Sequence, residues 1–255
     1  MKKRKGVPAA DGPAAASGGP RTLCIDIGGT GVKTLVVGPN GKAVTERLRV
    51  DTPRPATPKA VIQAILGLAG NQGRFDRVSV GFPGVVRRGV VETAFNLHKS
   101  WIGVDVDALL TRELGRPVRA ANDADVQGLG AVQGRGVELV VTLGTGFGSS
   151  LFMDGRLVPN VQLAHHAGWN KRTYEDELGA AALKKVGKKR WNRRLRKAIR
   201  SLSELFNYDR LYIGGGNAGK IRFDLPDSIK VISNLEGLYG GLALWNGKEN
   251  SYGIR

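Results

Sequence analysis

Short apolar runs that end in glycine-rich turns dominate the hydrophobic pattern of this chain. The segments at 23–27, 139–143 and 211–213 are almost wholly apolar, which is typical of buried strands. The same reading predicts strands at 21–27, 32–37, 43–50, 77–80, 118–121, 139–143, 148–153, 210–213 and 229–232. The pair Asn40-Gly41 between the second and third of these runs is a strong signal for a hairpin turn.

Longer segments between these strands carry the signals of helices. Pro58 suits a first helical position and starts a helix that runs to about Gly70. An acidic residue caps a short helix at 105–114. Further helices are predicted at 124–133, at 174–206 with a break at Gly187, and at 237–246. Strands that alternate with helices in this way predict an α/β protein.

Composition narrows the class of protein. The chain has 255 residues, enough for a well-buried core in one large domain or two lobes. No apolar run approaches the roughly 18 residues of a membrane-spanning helix, and the basic N-terminus lacks the apolar core of a signal peptide. Cys24, the only cysteine, lies in a predicted core strand and is expected to be a buried thiol. These features predict a cytoplasmic protein without membrane contact.

The chain is strongly basic, with a formal net charge of +17. Part of this charge lies in Lys2, Lys3, Arg4 and Lys5, within a tail (1–20) rich in Gly, Ala, Pro and Ser. Such a tail holds too little apolar surface to order itself, so we predict a disordered basic tail. The rest of the charge is spread over the body, which favours polyanionic partners. Polyphosphate is one candidate and non-specific nucleic acid is another.

The densest run of cations lies at 184–200. Four apolar residues at helical spacing form one stripe through this region, namely Trp191, Leu195, Ala198 and Leu202. One interpretation is a solvated helix that packs on its stripe. The other is a track for a polyanion.

Three turns carry the candidate chemistry. Each follows a predicted strand: Asp26-Ile27-Gly28-Gly29-Thr30-Gly31-Val32-Lys33, then Gly144-Thr145-Gly146, then Gly214-Gly215-Gly216. A glycine-rich turn after a strand presents backbone N–H groups to a phosphate without obstruction by side chains. Three such turns, one with an acid at the strand end, indicate a divided site that holds a phosphate chain between two lobes.

Further motifs follow in a fixed order: Val80-Gly81-Phe82-Pro83-Gly84-Val85-Val86, Ser100-Trp101-Ile102-Gly103, Ala121-Asn122-Asp123-Ala124-Asp125 and Leu157-Val158-Pro159-Asn160. With the three turns, they resemble the ROK family of repressors, open reading frames and kinases, and within it the polyphosphate- or ATP-dependent glucokinases. The resemblance spans roughly residues 21–246. It implies a two-lobed actin/hexokinase-like (ribonuclease H-like) fold with the active site in the interlobe cleft.

The resemblance also implies a division of the chain. Residues 21–121 would form the N-terminal lobe and residues 122–236 the C-terminal lobe. The helix at 237–246 would return to the first lobe. The family further suggests a homodimer.

The resemblance assigns the phosphoryl-transfer residues. Asp123 would be the catalytic base, although Asn-Asp before a helix is also a common N-cap. Asp26 would orient Mg²⁺ on the donor phosphates, with Lys33 neutralising charge; the alternative is an Asx-type turn residue. The remaining donor contacts would come from Gly28, Gly29, Thr30, Gly144, Thr145, Gly146, Gly214, Gly215 and Gly216.

The sugar contacts implied by the family are Gly81, Pro83, Gly84, Asn96, Asn122, Gln162 and His165. Trp101, the aromatic residue after Asn96, has core packing as its alternative role. The chain departs from the family at Gln162 and Ala164, where the family has glutamate and glycine. Gln162 still donates and accepts hydrogen bonds but lacks the charge that strengthens them. No cysteine cluster follows His165, so we expect no structural zinc.

The leading functional hypothesis is a hexose kinase. It would transfer a phosphoryl group from polyphosphate, ATP or both to the 6-hydroxyl of glucose or a similar hexose. The alternative is a catalytically weakened sugar-binding protein of the ROK type, or a polyanion- or nucleic-acid-binding protein. Retention of Asp123 favours the enzyme. A repressor of the family type is disfavoured, because only about twenty low-complexity residues precede the first motif.

Overall fold

A computed structural model describes residues 18–168 and 171–245 of the chain. Most of the predicted basic tail and the last residue of the predicted final helix lie outside these ranges. The strands are β1 (Thr22–Ile27), β2 (Gly31–Val37), β3 (Leu48–Asp51), β4 (Arg77–Phe82), β5 (Val86–Arg87), β6 (Val90–Val91), β7 (Val118–Asn122), β8 (Val137–Leu143), β9 (Phe147–Met153), β10 (Arg156–Val158), β11 (Arg210–Gly214) and β12 (Ile229–Val231). The helices are α1 (Pro58–Ala69), α2 (Val106–Leu114), α3 (Asp123–Leu129), α4 (Tyr174–Leu178), α5 (Ala180–Phe206) and α6 (Asn234–Ala243).

Two five-stranded sheets share one topology. The first has the order β3-β2-β1-β4-β7 and the second the order β10-β9-β8-β11-β12. In each sheet the first three strands are antiparallel neighbours, and the last two join in parallel. The architecture is therefore duplicated, although the sequence shows no repeat. The mixed α/β class and the two-lobed fold are confirmed.

Each sheet has its own apolar core. Leu23, Ile25 and Ile27 of β1 pack with α1 and α2 in the first core. Trp101 is fully buried there and donates its indole N–H to the carbonyl of Ala56 at 2.9 Å. Its role is thus core packing. Cys24 is also buried, which raises the pKa of its thiol to about 12.

The helix predictions at 58–70 and 105–114 are confirmed, and their caps explain their start points. Thr57 caps α1 by accepting the Ala60 N–H, with Pro58 at the first position. Asp105 caps α2 by accepting the Ala108 N–H. The side-chain acceptors satisfy N–H groups that the first helical turn leaves without partners.

The predicted strand at 43–50 was too long. Within this segment, only Ala43, through an isolated bridge to Val37, and the residues of β3 pair with β2. Between them the Thr45 hydroxyl accepts the Val36 N–H at 3.0 Å and also bonds to Gln72. A side chain has replaced the backbone ladder over this stretch.

The helix predicted at 124–133 was also too long, since α3 ends at Leu129. The carboxylate of the fully buried Glu138 accepts the N–H groups of Gln133 and Gly134, each at 2.7 Å. These bonds pull the chain out of the helical path. The buried acid therefore holds the segment after α3 outside the helix.

The segment 174–206 contains the predicted discontinuity and one more. Gly187 has φ 73° and ψ 162° and bends α5, as predicted. A second break at Gly179 separates α4 from α5. There the Ala180 N–H bonds to the carbonyls of Gly144 and Thr145, so the glycine turn in the second sheet fixes where α5 begins.

The last helix was predicted at 237–246 and is observed at Asn234–Ala243. It packs against β1, β4 and α3, beside the first sheet. The Ser79 hydroxyl donates to the carbonyl of Gly241 at 2.6 Å and accepts the indole N–H of Trp245 at 2.8 Å. Arg77 and Arg119 lie over the same indole, 5.0 and 4.6 Å from a ring centre. Cation–π stacking therefore anchors the end of the described chain.

The contact between α3 and α6 requires glycine at position 240. A β-carbon there would overlap the carbonyl oxygen of Val126. We predict that Gly240→Ala lowers the free energy of unfolding by about 1–3 kcal/mol through overpacking, measured by urea denaturation. Gly67→Ala is the control, because Gly67 lies exposed in α1 with open space around it; alanine there should stabilise by about 0.5–1 kcal/mol. Equal midpoints for Gly240→Ala and wild type would contradict a tight contact.

Candidate functional site

A cavity of about 480 Å³ lies between the two sheets, a size typical of small-molecule sites. It is lined by nearly all of the site residues that were predicted from the sequence. Those that line it are Asp26, Gly28, Gly29, Thr30, Lys33, Gly81, Pro83, Gly84, Asn96, Asn122, Asp123, Gly144, Thr145, Gly146, Gln162, His165, Gly215 and Gly216. Residues from both sheets therefore form one cleft.

Gly214 is the exception, as it does not line the cavity. It is the last residue of β11, and a β-carbon added there would lie 2.7 Å from the amide nitrogen of Gln127. Gln127 itself lines the cavity. Gly214 thus makes room for a lining side chain and lies behind it.

Asp123 sits where β7 ends and α3 begins. The Asn122 side chain caps this helix: its oxygen accepts the N–H groups of Ala124 and Asp125 at 2.9 and 3.3 Å. Its amide nitrogen donates to the carbonyl of Gly84 at 3.0 Å. The N-cap role that the sequence left open for Asp123 belongs to Asn122, although Asp123 Oδ1 also accepts the Ala124 N–H at 2.8 Å. This arrangement holds Asp123 on the cleft wall.

The environment of Asp123 shifts its proton equilibrium. Desolvation, with a smaller contribution from the negative charge of Asp26, raises the pKa of this carboxyl from 3.8 to about 7. Hydrogen bonding to the backbone and the positive charge of Lys33 oppose the rise. A carboxyl with a pKa near neutrality suits proton transfer at physiological pH.

The first glycine turn directs its carbonyl oxygens away from the cavity. The carbonyls of Gly28 and Gly29 accept from Thr52 and Arg54, and that of Thr30 accepts from Arg49 at 3.2 Å. None of these three donor residues lines the cavity. Carbonyl oxygens repel phosphate, so tying them back and placing two guanidinium groups nearby favours an anion in the cleft.

The turn also carries an ion pair. Lys33 Nζ lies 2.6 Å from Asp26 Oδ2, and both side chains are about a quarter to a third exposed. Strands β1 and β2 place these two residues directly opposite each other. Both line the cavity, so one cation and one carboxylate face the same space.

The second and third turns are joined to each other. The carbonyl of Gly144 accepts from the Ala180 N–H at 3.1 Å and from the Asn217 side chain at 3.0 Å. Gly215, with φ 86°, packs so closely that a β-carbon would lie 2.5 Å from the carbonyl oxygen of Leu143. Only glycine fits there. Asn217, which the sequence reading did not single out, is the link between the two turns.

The first and second turns face each other across the cleft. A β-carbon on Gly29 would lie 3.5 Å from Thr145 Cγ2 and 3.2 Å from the β-carbon of Asn96. A β-carbon on Gly146 would lie 3.1 Å from the Asn96 amide nitrogen. Asn96 therefore lies between the two predicted phosphate turns, and the glycines permit this close approach.

In addition to Gln127 and Asn217, two further cavity residues were not predicted from the sequence. Glu175 in α4 lines the cleft and accepts the Phe147 N–H at 3.2 Å. Phe95 is 59% exposed, and its ring centre lies 3.9 Å from that of His165. Neither stands in a motif that the resemblance supplied. The exposure of Phe95 beside Asn96 would have indicated a site residue, but exposure becomes known only from the structure.

Asp125 is a second acid at the start of α3 and does not line the cavity. It is 2% exposed, and burial raises the pKa of its carboxyl to about 7. Oδ2 accepts the Asn160 N–H at 3.4 Å. Among the described residues, Asp125 Oδ1 and Asn160 Oδ1 have no hydrogen-bond partner. Asp125 therefore ties α3 to the loop that leads to Gln162.

Comparison with known proteins identifies the chain's relatives. A family model described as "ROK family" matches residues 22–180. The chain is 34% identical to a polyphosphate glucokinase of Mycobacterium tuberculosis over 206 residues, which cover 77% of each protein. The chain belongs to the ROK family. This confirms the resemblance read from its motifs.

Solved structures of ROK proteins support the fold. An inorganic polyphosphate/ATP-glucomannokinase from Arthrobacter sp. strain KM matches with a TM-score of 0.81 and 36% identity, over 88% of this chain and 98% of that one. A ROK glucokinase from Streptomyces griseus, solved with glucose and AMPPNP, matches with a TM-score of 0.75 and 20% identity, over 89% of this chain and all of that one. The latter likeness shows the fold alone.

Within the described ranges, no group of three or more His, Cys, Asp or Glu side chains could hold a metal ion by itself. In the same ranges, no helix combines the length and apolar character needed to cross a bilayer.

Burial of Asp125 predicts a pH-dependent stability. A carboxyl whose pKa is higher in the folded state than in the unfolded state binds protons on folding, so the free energy of unfolding falls as pH rises from about 4 to about 7. Asp123 contributes with the same sign. Asp125→Asn should fold and should reduce this fall. The measurement is urea unfolding at a series of pH values; an unchanged pH dependence in the variant would show that Asp125 is ionised in the folded state.

Proposed function

We propose that this ROK protein is a hexose kinase that transfers a phosphoryl group from polyphosphate, ATP or both to the 6-hydroxyl of glucose or a similar hexose. One observation carries the proposal: Asp123, with a pKa near 7, faces a cleft whose opposite walls are two glycine turns with their carbonyls tied back. The proton acceptor and the phosphate sites are therefore in one cavity. The relatives named above support the same activity.

In the proposed reaction Asp123 accepts the proton of the sugar 6-hydroxyl. The hydroxyl oxygen forms a bond to the terminal phosphorus of the donor. The bond from that phosphorus to the bridging oxygen breaks, and ADP or a shortened polyphosphate leaves with the electron pair. The turn around Gly29 and the turn around Thr145 position the donor from the two sides. Positioning and charge stabilisation supply most of the catalysis in such transfers.

We assign Mg²⁺ to Asp26. Its carboxylate lines the cavity next to the first phosphate turn, and carboxylate oxygens together with donor phosphates and water are the ligands that Mg²⁺ prefers. The ion would neutralise charge on the donor. Lys33, 2.6 Å from Asp26, would add a second positive charge.

The sugar pocket retains one carboxylate despite the loss of the family glutamate at 162. Gln162 and His165 line the cleft from the second sheet, and Glu175 lines it from α4. We assign Gln162 and His165 to the sugar hydroxyls, together with Asn96, Asn122 and the turn Gly81-Pro83-Gly84. Glu175 then offers the charged acceptor that Gln162 does not. The His165 imidazole lies in a tilted contact with the Phe95 ring.

The remaining assignments rest on composition and on the family. We assign the N-terminal lobe to 21–121 with the returning helix, the C-terminal lobe to 122–236, and the site of action to the cytoplasm. We also propose a homodimer. Non-specific nucleic-acid contact through the basic body is the second candidate function, supported by the net charge of +17.

A phosphorylation screen tests the proposal. Glucose, mannose and other hexoses are incubated with Mg²⁺ and either ATP or polyphosphate, and the sugar 6-phosphates are quantified. We expect product from glucose with at least one donor. Absence of product from every hexose with both donors would refute the kinase assignment.

Asp123→Asn should lower kcat by about 10²–10⁴-fold, since a positioned general base contributes that much. The fold should be intact, because Asn122 and not Asp123 caps α3 through both N–H groups. Asp125→Asn is the matched control, a buried acid two residues away that does not line the cleft. The measurement is kcat by steady-state kinetics on folded samples of both variants. Near-normal turnover by Asp123→Asn would show that another group accepts the proton.

Gln162→Glu should tighten sugar binding. A charged acceptor strengthens a hydroxyl hydrogen bond by roughly 1 kcal/mol, so KM for the preferred hexose should fall about fivefold while KM for the donor changes little. The opposite change provides a contrast: Glu175→Gln removes a charged acceptor and should raise KM for the preferred hexose. If Gln162→Glu left KM unchanged or raised it for every hexose phosphorylated, Gln162 would not contact the sugar.

A further inference from the structure

The cations of α5 beyond Gly187 are sorted onto different faces of the helix. Trp191, Leu195, Ala198 and Leu202 are buried in the second core, as the sequence predicted. Successive residues turn by about 100° around a helix, which places Lys189, Arg193, Arg196 and Arg200 on the side opposite this buried stripe. All four are exposed. We call these four residues the cationic row.

The row is a regular feature of the surface. Its members are separated by four, three and four residues, so they lie one above another over about 16 Å of helix at 1.5 Å per residue. Within the described ranges, none of the four forms an ion pair with an acid. Four uncompensated charges in line would repel one another, and a linear polyanion relieves that repulsion.

Arg194 shows the contrast. Its side chain is only 14% exposed, and its Nε lies 2.8 Å from Oε2 of the buried Glu177. Arg194 therefore holds α5 against α4 and belongs to the packing of the lobe. No member of the cationic row forms such an ion pair within the described ranges.

The far end of the row enters a second cavity. This cavity, of about 390 Å³, is lined among others by Arg196, Arg200, Ser203, Tyr208 and Phe223. The Arg196 guanidinium stacks on the Phe223 ring at 4.7 Å, which limits its freedom. Asp224 also lines the cavity, and Glu204 lies one turn beyond Arg200. These acids bound the positive surface at this end.

The near end of α5 forms part of the cleft. Ala180, its first residue, lines the cleft and bonds to the second glycine turn. The row begins nine residues further along the chain, beyond the bend at Gly187. A triphosphate held at the glycine turns lies at the start of α5 and not beside the row. A long polyphosphate chain with its end in the cleft can extend beyond that bend.

We propose that the cationic row and its terminal cavity form a second, distal binding site for the unreacted part of a polyphosphate chain. The proposal rests on the proposed function, since it takes polyphosphate as a donor. The row binds through many phosphate contacts that sum, so it acts on long chains and leaves ATP and tripolyphosphate unaffected. Nucleic acid is the competing occupant. Polyphosphate is favoured because the row lies on the helix that begins at the proposed donor site, and binding of nucleic acid would not require that position.

The test compares two variants with equal loss of charge. The first changes the row, Lys189→Gln, Arg193→Gln, Arg196→Gln and Arg200→Gln. The control changes four exposed cations of the first lobe, Lys42→Gln, Arg47→Gln, Lys59→Gln and Lys99→Gln. Arg194 is left intact in both because its loss would strip Glu177 of a partner.

Kinetics give the first readout. The row variant should raise KM for long-chain polyphosphate about tenfold or more, and the dependence of log KM on log salt should become less steep. KM for ATP and tripolyphosphate, and the behaviour of the control with every donor, should match wild type. An equal loss with ATP, or an unchanged KM for long chains, would overturn the distal site.

Direct binding separates this inference from the kinase proposal. Fluorescence anisotropy measures a labelled long-chain polyphosphate and a labelled single-stranded RNA against wild type and both variants. We expect the row variant to lose polyphosphate affinity at least as strongly as RNA affinity. Loss of RNA binding alone would assign the row to nucleic acid. If no hexose were phosphorylated yet the row variant lost polyphosphate binding, the site would stand and the kinase proposal would fall.

Discussion

The capped junction between β7 and α3 is the constraint on which the cleft depends. The side-chain oxygen of Asn122 accepts the first N–H groups of α3, and its amide nitrogen donates to the carbonyl of Gly84. Because β7 belongs to the first sheet and α3 packs against β9 of the second, this one side chain joins both halves. Asp123 is held between them, partly buried in the cleft wall and near Asp26, and both effects raise its pKa.

Repetition of one sheet topology explains why two phosphate turns face each other. Each sheet has an antiparallel hairpin, β1-β2 or β8-β9, and the glycine turn lies at its bend. In each turn, donors from other segments take the carbonyl oxygens: Arg54 for Gly29 and Asn217 for Gly144. The same local arrangement is thus built twice from different side chains.

The sequence predicted those elements whose signals are local. Buried strands, the caps of α1 and α2 and the bend at Gly187 follow from short-range patterns. Features fixed by side-chain and tertiary contacts were missed: Glu138 holds the segment after α3 outside the helix, and the carbonyls of Gly144 and Thr145 bind the first N–H of α5. The site shows the same division. The residues predicted from motifs line the cleft, except Gly214, which lies behind Gln127. Glu175 and Phe95 reach the cleft through the fold and stand in no motif.

The central claim is that Asp123 is held as a carboxyl poised near neutrality in the cleft. Carbon-13 NMR of labelled aspartate carboxyls measures it directly, with Asp123→Asn and Asp125→Asn used to assign the resonances. The account predicts that the signal missing from Asp123→Asn titrates near pH 7 in wild type. A titration of that signal near pH 4 would contradict the account, because Asp123 would then be solvated and outside the influence of Asp26.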